Sequence, residues 1–134
     1  SILRVKLPHV AGWNARRRAH AARYDELLVG TVTTPLVHAY NESVFHHYTV
    51  RIDEKKRRDA VSRALADAGI ETAVYYPKPL HLQTCFRDLG HLRGDFPEAE
   101  RAADSVLSLP IIPELDEQAI EHVANTLRRY FLVC

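Results

Sequence analysis

The chain has 134 residues, 46% hydrophobic and 26% charged, with 18 Lys and Arg against 17 Asp and Glu, for a formal net charge of +1. A chain of this size buries about two thirds of its unfolded surface and so supports one core. The balanced charge offers no long-range field for DNA, RNA or an anionic membrane. No apolar run approaches the roughly 20 residues of a membrane-spanning helix. The two cysteines, Cys85 and Cys134, form no CxxC pair, and no segment reads as a secretory signal. Together these features predict a soluble, cytoplasmic protein with no nucleic-acid or membrane partner. The chain also lacks methionine and opens on Ser1-Ile2-Leu3, already within an amphipathic pattern. That start reads as a domain cut from a longer polypeptide; the alternative is a processed start of a complete protein.

In chain order, residues 2–28 have helical character. Ile2, Leu3, Val5 and Leu7 are followed by Ala15, Ala19, Ala22 and Leu27 at helical spacing, with Pro8 predicted to kink or split the helix. The Arg16-Arg17-Arg18 run is spread around this helix and followed by Asp25 and Glu26, which predicts a solvated face, not a nucleic-acid patch. Residues 29–43 hold Gly30, Pro35 and several threonines without a period and read as loop. VFHHYTVRI, 44–52, is rich in β-branched and aromatic side chains and predicts a strand. On that strand the adjacent His46 and His47 should point to opposite faces, which argues against a shared metal ion.

Asp53 is expected to open a helix whose stripe is Ala60, Val61, Ala64, Leu65 and Ala68, stopped by Gly69 in the left-handed position. Residues 72–76 predict a second strand, so strand, helix and strand span about 30 residues, the length of a βαβ-type unit. Pro97 suits the first turn of the next helix, with Ala99, Ala102, Ala103 and Val106 as its buried face. VLSLPII, 106–112, predicts a third strand. Asp116 should cap a last helix in which Ile120, Val123 and Leu127 recur up to Tyr130 and Phe131. The fold class is α/β in two layers: helices packed on a small sheet of about three strands.

Chemistry concentrates in ETAVYYPKPLHLQ, 71–83. Two prolines fix φ and restrict the residues before them, so the backbone after the strand is preset. Strand alternation would send Tyr75 and Tyr76 to opposite faces, leaving at most one toward the core. Their phenols, with His81 and Gln83, form a cluster of hydrogen-bonding tips that suits sugar hydroxyls or phosphate oxygens, and Lys78 could add a positive charge. A Pro-rich turn whose aromatics merely cover the core edge accounts for these residues equally well. No Gly-rich phosphate loop, Walker sequence or nucleophile elbow occurs, and Cys85 has no cue for a reactive thiolate. The lysines are Lys6, Lys55, Lys56 and Lys78. None has a Ser/Thr/Gly-rich setting that would seat a phosphate.

Four segments, ILRVKLPHVAGWNARRRAHAARYDELL, VFHHYTVRI, GIETAVYYPKPLHLQ and DFPEAERAADSVLSLPIIPEL, stand in an order and spacing that resembles the C-terminal part of the DegT/DnrJ/EryC1/StrS aminotransferases. These enzymes use pyridoxal phosphate to aminate keto groups of nucleotide-linked sugars. The resemblance covers nearly the whole chain. It implies that residues 1–134 are the C-terminal small domain of a fold-type I aminotransferase, with the large domain, its cofactor lysine and most phosphate contacts outside this chain.

It follows from the resemblance that this chain holds no catalytic residue, no cofactor-binding residue and no metal ligand, binds no pyridoxal phosphate alone and has no activity alone. Pyridoxal 5'-phosphate, glutamate as amino donor, a nucleotide-linked keto-sugar as acceptor and a homodimeric assembly belong to the intact enzyme. By the same resemblance Tyr75, Tyr76 and His81, with Lys78 beside them, fall where the family lines its nucleotide-sugar pocket. Many members carry histidine at the position of Tyr75. The alternative expectation is a standalone, non-catalytic module that holds a nucleotide-sugar.

Overall fold

The computed structural model describes residues 2–133. Ser1, on which the reading of the chain's start rests, and Cys134 lie outside the described residues. Helix α1 (Ile2–Lys6) and a 3₁₀ turn (Leu7–His9) lead into α2 (Val10–Leu28). Pro8 sits in that turn, where its missing N–H and fixed φ end one helix and start the next. Then follow β1 (Tyr48–Arg51), α3 (Lys55–Asp67), 3₁₀ turns at Leu80–Leu82 and Thr84–Leu89, α4 (Pro97–Ser105), β2 (Val106–Leu109) and α5 (Glu117–Val133).

Strands β1 and β2 pair antiparallel, with Tyr48 opposite Leu109 and Arg51 opposite Val106. Each edge is extended by a single antiparallel bridge, Thr33 to Arg51 on one side and Ala73 to Ser108 on the other. The expected strand at 72–76 is therefore one bridge wide, because Pro77 and Pro79 bring no N–H with which to continue a ladder. The expected strand at 44–52 shortens to four residues, since Phe45 takes a positive φ of 45° just before it. Ala73 runs parallel to β1 with β2 between them, so the two ends of the strand, helix, strand unit are not direct neighbours.

Helix α5 packs against both α2 and α3, and α3 against β2; the core they share with the small sheet holds Tyr24, Leu28, Tyr48, Leu65, Leu107 and Leu127. The buried face of α2 is Ala21, Tyr24 and Leu28. Ala15, Ala19 and Ala22, expected inside, are exposed. Burying a tyrosine and a leucine removes far more apolar area than burying alanine methyls, so the helix turns its larger side chains inward. In α4 only Ala103 and Ser105 are buried, Ala99 and Ala102 are exposed, and Val106 belongs to β2. This helix runs straight into β2, and burial grows only toward that junction.

Local signals fare better. In α3, Val61 and Leu65 are buried as expected, although Ala68 is exposed. The Gly69 N–H donates to Ala66 O and the Ile70 N–H to Leu65 O, both at 2.9 Å, with Gly69 at φ 77°. This is the Schellman closure that glycine permits. Asp53 caps nothing: α3 starts at Lys55 after Glu54, and no side chain caps it. Asp116 does cap α5, accepting the Ala119 N–H on Oδ1 at 2.7 Å. Pro97 occupies the first turn of α4. Among the described residues no helix is long and apolar enough to cross a membrane.

One buried charge escaped the sequence reading. Arg58, 2% exposed on the inner face of α3, donates to Val106 O at 2.9 Å and to Asp59 Oδ1 at 2.6 Å, with Ala103 O at 3.4 Å. A buried guanidinium is tolerated only when such partners replace its water. Arg58 thereby fastens the α4 to β2 junction to the core.

Candidate functional site

The segment 71–83 leaves the sheet edge after the Ala73 bridge. Tyr75 and Tyr76 are 46% and 66% exposed, so neither enters the core. They are joined by a cis peptide, and their rings meet edge to face with centroids 5.9 Å apart. Tyr75 also packs on His47 at 4.3 Å, and His47 touches His46 at 4.4 Å. The expectation that the two histidines diverge is thus overturned. They lie in a bend before β1, where strand alternation does not operate. Among the described residues, no group of three His, Cys, Asp or Glu is placed to hold a metal ion.

An open groove of about 660 Å³ brings together Arg17 of α2, His46, His47, Thr72, Tyr75 and the stretch 110–113 that follows β2. That stretch is tied to α2 at both ends: the Tyr24 hydroxyl donates to Pro110 O at 3.0 Å, and His20 Nε2 lies 3.5 Å from Pro113 O. Arg17 gives one N–H to Asn14 Oδ1 at 3.2 Å, while its Nε is buried without a partner. The groove therefore combines phenol, imidazole and hydroxyl groups with the Arg17 guanidinium and the Glu71 carboxylate, a set that suits a ligand rich in hydroxyls with Arg17 left to meet a negatively charged group.

Tyr76 and Lys78 face elsewhere. With Pro77, Gln83, Thr84 and Cys85 they line a shallow groove of about 480 Å³. His81 lines neither groove. Its Nε2 lies 3.0 Å from Glu100 Oε1, with the two side chains 7% and 11% exposed, and its ring packs on Phe96 at 4.8 Å. The same Glu100 oxygen accepts the Gly94 N–H at 2.6 Å, and Arg93 lies 3.9 Å from the other. The Gly94 N–H first, then His81 and Arg93, hold the Glu100 carboxyl below its usual range against the opposing effect of burial.

Of the four residues singled out from the sequence, Tyr75 thus stands in one groove, Tyr76 and Lys78 in another, and His81 is engaged by α4. Sequence reasoning missed Arg17, His46 and His47 as neighbours of Tyr75. The local signal for the two histidines is their pairing just before β1, where strand alternation does not operate. Glu100, 19 residues from His81, had no local signal at all.

A Schiff-base lysine needs a desolvated amine or an adjacent group that lowers its pKa. Lys6, Lys55, Lys56 and Lys78 are all exposed, and Lys55 pairs with Asp104 at 3.4 Å. Among the described residues, no lysine therefore has the desolvated setting that a Schiff base to pyridoxal phosphate needs.

The DegT/DnrJ/EryC1/StrS aminotransferase family matches residues 1–128. The chain is 44% identical to the pleiotropic regulatory protein of Geobacillus stearothermophilus, over 98% of this chain and 36% of that protein. It is 42% identical to the UDP-N-acetyl-3-dehydro-alpha-D-glucosamine 3-aminotransferase of Acidithiobacillus ferrooxidans, over 96% of this chain and 34% of that protein. Its structure superposes on crystalline DesV of S. venezuelae with a TM-score of 0.91 at 36% identity, covering 96% of this chain and 34% of DesV. The chain spans about a third of the length of the curated relatives it matches. By a family match that runs almost from end to end, and by a fold shared with a solved member, the chain belongs to the DegT/DnrJ/EryC1/StrS aminotransferase family.

Proposed function

We propose that this chain is the C-terminal small domain of a nucleotide-sugar aminotransferase and supplies one wall of its sugar-nucleotide cleft. The intact enzyme would move an amino group from glutamate to a nucleotide-linked keto-sugar, with pyridoxal phosphate held by polypeptide other than residues 1–134. The observation that carries this reading is the open groove in which Tyr75 packs on His47 beside Arg17. Tyr75 and His47 would bond sugar hydroxyls, and Arg17 would face a phosphoryl oxygen. Tyr76 and Lys78 would meet a more distant part of the same ligand from the neighbouring groove.

Two further features support the wider assembly. Ile2, Leu3, Val5 and Leu7 are 72%, 81%, 71% and 70% exposed. An apolar surface of this kind is what a neighbouring domain or a second subunit covers, which suits a homodimeric enzyme of more than one domain. Cys85 is a free, exposed thiol, which suits a reducing cytoplasm.

The test is kinetic, on the aminotransferase polypeptide that carries this chain. Tyr75→Phe and His47→Ala should slow amination of the keto-sugar nucleotide about tenfold, the effect of about 1.4 kcal/mol of lost transition-state binding. The half-reaction with glutamate should stay within about twofold, since uniform loss would mean a general defect. Equal losses in both halves, or no sugar-nucleotide turnover by the parent, would overturn the proposal.

A further inference from the structure

We propose that His81 is a positioning residue: through Glu100 it fixes the proline-stiffened rim, 77–83, to α4 and so sets where Tyr75 and Tyr76 stand. The kinetic part of this inference rests on the function proposed above; the structural part does not.

The rim needs such a fixture. Beyond the Ala73 bridge it has no ladder partner, and its own hydrogen bonds are local, Leu82 N–H to Pro79 O and Gln83 N–H to Leu80 O, both at 3.0 Å. Prolines fix the rim's internal shape through φ but say nothing about its place on the domain. His81 provides the tie. It sits on the 3₁₀ turn Leu80–Leu82, and its bond to Glu100 spans to the middle of α4.

The far end of the tie is itself anchored. Arg58 binds the carbonyls of Ala103 and Val106 at the end of α4, and Lys55 pairs with Asp104. Around the tie, the ring of Phe96 lies between His81 at 4.8 Å and His91 at 5.0 Å. Asp95 accepts the Leu92 N–H at 2.9 Å, closing the loop that brings Gly94 to Glu100. A charge-assisted bond between two side chains this well covered is a stronger tether than an exposed one. At 7% exposure the His81 side chain has little surface left for a ligand, and contact with one would require leaving Glu100.

The test has two arms. In the 134-residue chain, amide hydrogen exchange at Leu82, Gln83 and Gly94 reads the tie without any substrate. His81→Ala and Glu100→Ala should each speed exchange at Leu82 and Gln83 about tenfold. His81→Gln, which keeps a donor near the position of Nε2, should restore much of the protection in a chain that otherwise folds alike. Unchanged exchange at Leu82 and Gln83 in both alanine variants would overturn the inference. In the aminotransferase polypeptide, His81→Ala, Glu100→Ala and the double variant should raise KM for the keto-sugar nucleotide alike, about tenfold, with the double no worse than either single. An unaltered KM in Glu100→Ala, or additive losses in the double, would mean that His81 touches the ligand itself and would overturn the inference. A parent without sugar-nucleotide turnover would sink the proposed function alone, leaving the exchange arm to decide the tie.

Discussion

The rings of Tyr24 and Tyr48 stack in the core with centroids 5.0 Å apart, and each hydroxyl reaches a partner at the core's edge. Tyr24 donates to Pro110 O at 3.0 Å and Tyr48 to Asp25 Oδ1 at 2.6 Å. One bond joins α2 to the groove wall after β2; the other joins β1 back to α2. The stack thus couples the packing of the domain to the placement of the candidate site.

Removing either hydroxyl leaves an acceptor behind. Tyr24→Phe should cost about 1 kcal/mol, the usual net worth of a neutral hydrogen bond, whereas Tyr48→Phe strands a carboxylate and should cost about 1.5–3 kcal/mol. Urea unfolding checks both: the midpoint should fall with an unchanged slope. A larger loss in Tyr24→Phe than in Tyr48→Phe would contradict the ranking.

The same pair makes stability sensitive to alkali. Burial raises both phenols above their ordinary value, and in Tyr48 the bond to Asp25 and its charge add to the effect. A group whose folded pKa is raised contributes stability that is fully present below its unfolded value, about 10 for tyrosine, and lost as pH rises beyond it. The urea midpoint should therefore decline above about pH 10, and the decline should be smaller in Tyr48→Phe.

Acid acts on segment 91–100 with the opposite sign. Glu100 and Asp95 are held below the usual carboxylate range, first by the backbone N–H groups of Gly94 and Leu92 and then by histidine neighbours. Their contribution is whole above the unfolded carboxylate values, about 4, and is lost as pH falls through the lower folded values. Segment 91–100 should loosen in that window, seen as loss of the hydrogen-bonded Gly94 amide shift by NMR. In Glu100→Gln the Gly94 shift should titrate less there, through Asp95 alone.

Two glycines should respond to alanine in opposite directions. Gly69 holds φ 77° with nothing within 4 Å of an added Cβ, so Gly69→Ala meets only the backbone penalty and should cost about 1 kcal/mol. Gly12 lies in α2, also with open space around it. There alanine's higher helix propensity should stabilise by about 0.5–1 kcal/mol. Thermal unfolding of the two variants should bracket the parent.

What the sequence determined by itself is whatever is settled within about four residues. Pro8 divides the first helix, Gly69 closes α3, Pro97 opens α4 and Asp116 caps α5, because backbone sterics and a cap's hydrogen bond act on near neighbours. The family resemblance likewise needed only the order of short motifs. Tertiary structure alone decided which face of α2 turned inward, since its alanine and its Tyr24 and Leu28 stripes are both helical in period and only packing ranks them. It also placed β2 between β1 and Ala73, stood Tyr75 against His47, and closed His81 onto Glu100. Each of these joins residues far apart in the chain, where no local preference reaches and only the burial of the whole core selects a partner.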